Sequence, residues 1–221
     1  MVKRAVMTQS AVSKSSSKKR NPEAVKADIL RVATEEFATS GFAGARVNLI
    51  AEKTETSKRM LYYYFGDKER LYIQVLENAY RDIRLGEQEL RLESLVPKEA
   101  LKTLIAFTFD HQRANPAFIK LVMIENIHEG RHLLAKDAFE QVNAPAIQRL
   151  AEIYDAGVAS GDFRSGINVV ELHWFISSMC FFNNSNRSTF SAAFGTEIFS
   201  DAGQERLRTE VEELICRYVS A

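Results

Sequence analysis

Cysteine, proline and glycine are all scarce in this sequence, at two, four and ten of 221 residues. The two cysteines, Cys180 and Cys216, lie far apart and in no CxxC spacing. A disulfide framework is therefore excluded, and the expectation is a reducing cytoplasm with both thiols serving as small core residues. So few prolines and glycines leave long unbroken segments with apolar residues three and four apart, and no run alternates for long enough to demand a strand. The expected class is all-α. A long hydrophobic run is missing too: the most apolar stretch, residues 172–182, is interrupted by His173, Ser177 and Ser178. The first twenty residues lack an apolar signal core, so the chain reads as soluble, unexported and free of any membrane partner. Glycine-rich phosphate loops and nucleophile motifs are likewise absent, and no catalytic residue or cofactor is assigned.

What the sequence does have is 46% hydrophobic residues, enough for a sizeable core, and a concealed charge asymmetry. The formal net charge is zero. Residues 1–70 nevertheless hold 14 Lys and Arg against 8 Asp and Glu, and the remainder 15 against 21. A basic front suggests a polyanionic partner for that part alone. The first twenty residues contribute six of those cations and no acid, which fits a disordered basic arm over 1–20.

Beyond the arm, apolar spacing draws a first helix through Val25, Ile29, Ala33 and Phe37, with Pro22 in its first turn and Gly41 stopping it. Val47, Ile50 and Ala51 mark a short second helix, Ser57 caps a third, and Asp67 caps a long fourth along Leu71, Val75, Leu76, Ala79 and Ile83. Further helices are expected at about 98–114, 116–128, 137–159 with a kink at Pro145, 168–185 and 203–219. The segment NNSNRSTFSAAFG reads as a bend or broken helix.

The third helix carries three consecutive tyrosines in SKRMLYYYFGDK. Helical residues turn by about 100° each, so Tyr62, Tyr63 and Tyr64 cannot share one buried face. With Leu61 and Phe65 toward the core, Arg59 and Tyr63 point outward, flanked by Tyr62 and Tyr64. A short helix, a tight turn and a helix with a polar, basic outer face suit a helix-turn-helix whose second helix enters the major groove.

Residues 24–76 resemble the TetR family of bacterial transcriptional regulators: an aromatic residue then Gly-Phe closing the first helix, Ile-Ala in the second, Ser then Leu-Tyr-x-Tyr-Phe in the third, and Lys-Glu-x-Leu opening the fourth. The resemblance implies a helix-turn-helix DNA-binding domain over 21–68 and a helical ligand-binding and dimerisation domain over 69–221. By the same resemblance Arg46, Tyr64 and Lys68 meet phosphates, Ser57, Lys58 and Arg59 lead the recognition helix, and Tyr63 touches base or sugar. Tyr62 is assigned mainly to packing. In place of the family's paired threonines before the second helix stand Ala45 and Arg46, so the usual hydroxyl cap is missing. In place of Ala-Gly-Val in the turn stand Thr54, Glu55 and Thr56, which puts Glu55 where a positive φ favours glycine.

The C-terminal part holds Trp174 and eleven of the fourteen phenylalanines. Its last two helices, the second striped by Leu207, Val211, Leu214, Ile215 and Tyr218, suit a homodimer interface. Phe107, His111, Met123, Phe175, Ser178 and Met179 are the candidate walls of an effector pocket. His128 and His132, beside Glu125 and Glu129, are spaced to share a helical face and a metal, but Gly130 between them weakens that helix and no further ligand spacing is present, so no metal site is assigned. The expected function is a ligand-responsive, homodimeric repressor that leaves a pseudo-palindromic double-stranded DNA operator when a small molecule binds. The competing expectation is a helical enzyme or metal-binding protein using the C-terminal pocket.

Overall fold

The computed structural model describes residues 21–133 and 137–221. The basic arm expected over 1–20 lies outside them. Among the described residues ten α-helices are connected by tight turns and two single turns of 3₁₀ helix, at Leu92–Ser94 and Glu197–Phe199. In chain order they are α1 (Pro22–Gly44), α2 (Val47–Lys53), α3 (Lys58–Phe65), α4 (Lys68–Glu89), α5 (Pro97–Ala114), α6 (Pro116–Ile127), α7 (Asp137–Ser160), α8 (Val169–Ser185), α9 (Arg187–Phe194) and α10 (Asp201–Val219).

Local chemistry sets most of the boundaries. Asn21, Ser57, Asp67, Asn168 and Ser200 each accept a backbone N–H of the first turn they precede. Gly41 takes φ 67° and interrupts α1, after which one further turn reaches Gly44. Glu55 adopts φ 49° in the turn between α2 and α3, where the sequence places a non-glycine at a left-handed position. The segment read as a bend or broken helix is broken at Asn186, where α8 and α9 meet, and α9 is ended by Gly195 at φ 88°. Pro145 lies within α7, which continues through it.

Two apolar cores result. The first gathers Ile29 and Phe37 of α1, Ile50 of α2, Leu61 and Phe65 of α3 and Leu71 to Leu76 of α4, together with Leu121 from α6. The second joins α5, α7, α8 and α10 through Leu101, Ile105, Phe109, Leu150, Leu172 and Ile215, and it encloses both free cysteines.

α4 and α6 tie the cores together, and the tie is polar. Glu125 of α6 is buried. Its carboxylate accepts from Tyr72 Oη at 3.2 Å and from the backbone N–H of His132 at 2.8 Å, while His132 Nδ1 lies 2.9 Å away. The rings of Phe42, Tyr72 and His132 stack around this group at 4.7–5.2 Å. His132 reaches it because Glu129 (φ 58°) and Gly130 (φ 70°) fold the chain back after α6. Burial and the nearby carboxylate push the Tyr72 hydroxyl pKa upward, so it remains a donor. Removing the acceptor leaves buried donors unpaired, which costs roughly 1–3 kcal/mol for each group. Glu125→Leu is therefore expected to destabilise the fold by about 2–5 kcal/mol, read as a lowered urea midpoint.

Candidate nucleic-acid interface and effector cavity

α3 buries Leu61 and Phe65 and turns the rest of its surface outward. Tyr63 is 77% exposed, and Ser57, Lys58 and Arg59 are exposed at the start of the helix. The two flanking tyrosines sit in different surroundings. Tyr62, assigned to packing, is exposed with the Lys58 ammonium 5.7 Å above its ring. Tyr64, assigned to a phosphate, is half-buried against the first core, with Lys26 of α1 over its ring at 5.8 Å. Both residues stand at nearly the same angle from the buried stripe. The asymmetry comes from α1, which covers one flank and not the other.

Arg46, Lys58, Tyr62 and Lys68 line one shallow cleft beside the N-terminus of α2. Three cations from three different helices or caps thus converge, a grouping invisible in their sequence spacing. Lys68 is held there by donating to the Ala43 carbonyl at 3.3 Å and by lying over the Phe42 ring. α2 has no side-chain cap bond, and the residue before it is held instead by its own backbone N–H, which Arg46 donates to the buried Glu36 carboxylate at 3.1 Å.

In the C-terminal part, a cavity of about 500 Å³ lies between α4, α5, α6, α7 and α8. Of the six expected pocket residues it contains only Ser178. Met179 faces a second, apolar groove between α8, α9 and α10, Met123 is exposed, and Phe107 packs on His111 and against Gly86. Phe175 packs between Trp174 and Tyr218. The structure thus spreads the six residues over several surroundings and does not bring them together around one cavity.

The cavity's polar groups went unrecognised: Arg84 and Glu87 of α4, Gln112 of α5 and His173 and Ser177 of α8. Arg84 Nη1 donates to both Glu87 oxygens at 2.8 and 2.7 Å. Burial lowers the Arg84 pKa and raises that of Glu87, with each partner opposing the effect on the other. Burial, reinforced by the Arg84 charge, lowers the His173 pKa to about 4, so the imidazole is neutral at physiological pH. His128 and His132 do not share a helical face: α6 ends at Ile127, and His132 turns back to Glu125.

The profile described as "Bacterial regulatory proteins, tetR family" matches residues 29–75, and "Tetracyclin repressor-like, C-terminal domain" matches residues 97–215. The chain belongs to the TetR family. This regulator is 34% identical to "HTH-type transcriptional repressor NicS" of Pseudomonas putida across 86% of its own length and 90% of that protein. It is 37% identical to "HTH-type transcriptional regulator RutR" of Escherichia coli, across 54% of its own length and 56% of that protein. Among solved structures, the transcriptional regulator SCO4942 of Streptomyces coelicolor superposes with TM-score 0.66 at 27% identity, covering 86% of this regulator and 97% of that chain. The fatty acid degradation regulator FadR of Bacillus halodurans shares the fold, with TM-score 0.69 at 18% identity and coverage of 90% and 97%. The regulator is thus a helix-turn-helix transcription factor, and no helix among its described residues is long and apolar enough to cross a membrane.

The neutral His173 has a consequence for stability. An unfolded histidine protonates below about pH 6.5, whereas this one resists until about pH 4, so the unfolded state binds more protons between those values. Stability contributed by the neutral form is present above pH 6.5 and is lost as pH falls toward 4, by up to about 3 kcal/mol. Urea titrations of the wild type and of His173→Asn should differ in slope across that window, with the variant losing less.

Proposed function

We propose that this regulator is a homodimeric repressor whose grip on a pseudo-palindromic operator is released by a small molecule in the α4–α8 cavity. The reading divides the chain into a DNA-binding head over 21–68, whose core also recruits the first turns of α4, and a ligand-binding and dimerisation body over 69–221. The observation that carries it is the outer face of α3, where Arg59 and the 77%-exposed Tyr63 stand opposite the buried Leu61 and Phe65.

In this reading Ser57, Lys58, Arg59 and Tyr63 enter the major groove. Arg46, Tyr64 and Lys68 hold phosphates on either side, and Tyr62 joins them from the same cleft as Arg46 and Lys68. Dimerisation is supported by apolar residues left open on α8 and α10, including Trp174 (64% exposed), Phe182 (52%), Leu214 and Tyr218. Two heads so joined must sit roughly 34–36 Å apart to reach successive major grooves. α6 links ligand to head: Phe118 and Val122 line the cavity, while Leu121 and Glu125 pack against the head. A ligand that prefers a shifted α6 selects a head spacing that the operator does not accept, and by linkage the operator weakens the ligand. That the relative NicS is named a repressor supports the sign of the regulation.

Operator fragments selected from random duplexes by the wild-type protein test the contacts by fluorescence anisotropy. Arg59→Ala with Tyr63→Ala is expected to bind operator and scrambled duplex equally while remaining dimeric in light scattering. Lys68→Ala should lower affinity for both and reduce the salt slope by about one unit. Unchanged discrimination in the double variant would overturn the assignment.

A further inference from the structure

The folded head carries no net charge of its own. Residues 21–70 hold 8 Lys and Arg against 8 Asp and Glu, so the whole positive surplus in the front of the chain comes from residues 1–20. Several of the head's cations are also engaged: Lys26 with Glu23, Arg31 with Asp28 and Glu35, and Arg70 with Asp67, at 2.8–3.7 Å. Residues 21–221 together hold 23 Lys and Arg against 29 Asp and Glu, a net charge of −6 per protomer. A dimer of such bodies is repelled by a duplex, whose phosphates place one negative charge about every 1.7 Å along the axis.

Residues 1–20 reverse that balance. They carry Lys3, Arg4, Lys14, Lys18, Lys19 and Arg20 and no acid, and half of the charge falls in the last three positions before Asn21. The described residues show where this segment joins the fold. Asn21 caps α1, and with Val25 it lines a cleft against Lys53 and Thr54, at the end of α2 and in the turn before α3. In the next turn Lys26 lies 5.8 Å over the ring of Tyr64, near the end of α3. The start of α1 thus runs beside α3, and the chain enters α1 at the rim of the face assigned to DNA. At no more than about 3.6 Å per residue, positions 18–20 lie within roughly 11 Å of Asn21, a span of about three base pairs. Glu23 and Asp28, the acids in the first turns of α1, are already held by Lys26 and Arg31.

Resting on the regulator reading, we propose that residues 1–20 are a second DNA-binding element, which lays Lys18, Lys19 and Arg20 along the operator's sugar-phosphate backbone beside the groove that α3 enters. The element supplies affinity by releasing counterions and has no sequence preference, whereas α3 supplies the preference. Without it, an acidic dimer with a neutral head has little to draw it toward any duplex.

Fluorescence anisotropy of the full-length protein on the selected operator and on scrambled duplex, from roughly 50 to 200 mM salt, tests this. Lys18→Gln with Lys19→Gln and Arg20→Gln removes three phosphate contacts per protomer, and at about 0.9 per contact should lower the slope of log affinity against log salt by about 5 for the dimer. Affinity near physiological salt should fall at least about tenfold for operator and scrambled duplex alike, with their ratio held within about twofold. The charge-preserving set, Lys18→Arg, Lys19→Arg and Arg20→Lys, should keep the wild-type slope. These positions precede the α1 cap, so the urea midpoint should stay put in both variants. An unchanged slope in the glutamine variant would overturn the proposal. So would a lost operator preference, which would mean that the segment reads sequence, or a gain in affinity, which would mean that it screens the acidic body. Wild-type protein that binds no duplex at any salt would sink the regulator reading as well, whereas wild-type binding with an unchanged variant slope sinks this element alone.

Discussion

A buried carboxylate, Glu125, is the constraint on which the joining of the two cores depends. It sits on α6, the helix that contributes Leu121 to the N-terminal core and Phe118 and Val122 to the cavity wall. Burying a carboxylate is tolerable only when its lone pairs are satisfied, and here Tyr72, the His132 amide and the His132 ring surround it. Those partners come from α4 and from the turn beyond α6. The geometry of α6 relative to α4 is therefore fixed by directional bonds, whereas apolar contact alone would allow sliding.

That arrangement explains why a cavity beside α6 bears on α3. The first turns of α4 belong to the N-terminal core through Leu71, Tyr72, Val75 and Leu76, and later turns carry Tyr80, Ile83, Arg84 and Glu87 into the cavity. One rigid helix thus has its beginning in the head and its middle in the cavity wall. α6 runs beside it with the same double allegiance. In the proposed mechanism a change of cavity shape would reach α3 through these two elements, which are cross-linked at Tyr72 and Glu125.

Much of the fold was legible because capping chemistry is local. Ser57 and Asp67 announce their helices, and the pairing of Leu61 with Phe65 orients α3 without any tertiary information. Tyr62 and Tyr64 were not legible in the same way, since their exposure depends on where α1 lies. The cavity was the least legible. Arg84 and Glu87, three apart on a helix, resemble a solvated surface ion pair, and only burial by α5, α6 and α8 converts them into an interior one. The spacing of His128 and His132 carries little for a related reason: a shared face needs a continuing helix, and the left-handed residues Glu129 and Gly130 end that geometry.

The carboxylate of Glu36 has a wider implication. By accepting from the Arg46 amide, it ties the residue that precedes α2 to α1 and so fixes the point from which the Arg46 side chain departs. In the proposed complex the sugar-phosphate rail is held from that flank by long, hinged side chains, Arg46 and Lys68. Such a grip follows modest changes in groove width, so tolerance of imperfect half-sites is built in at α2 while discrimination rests with α3.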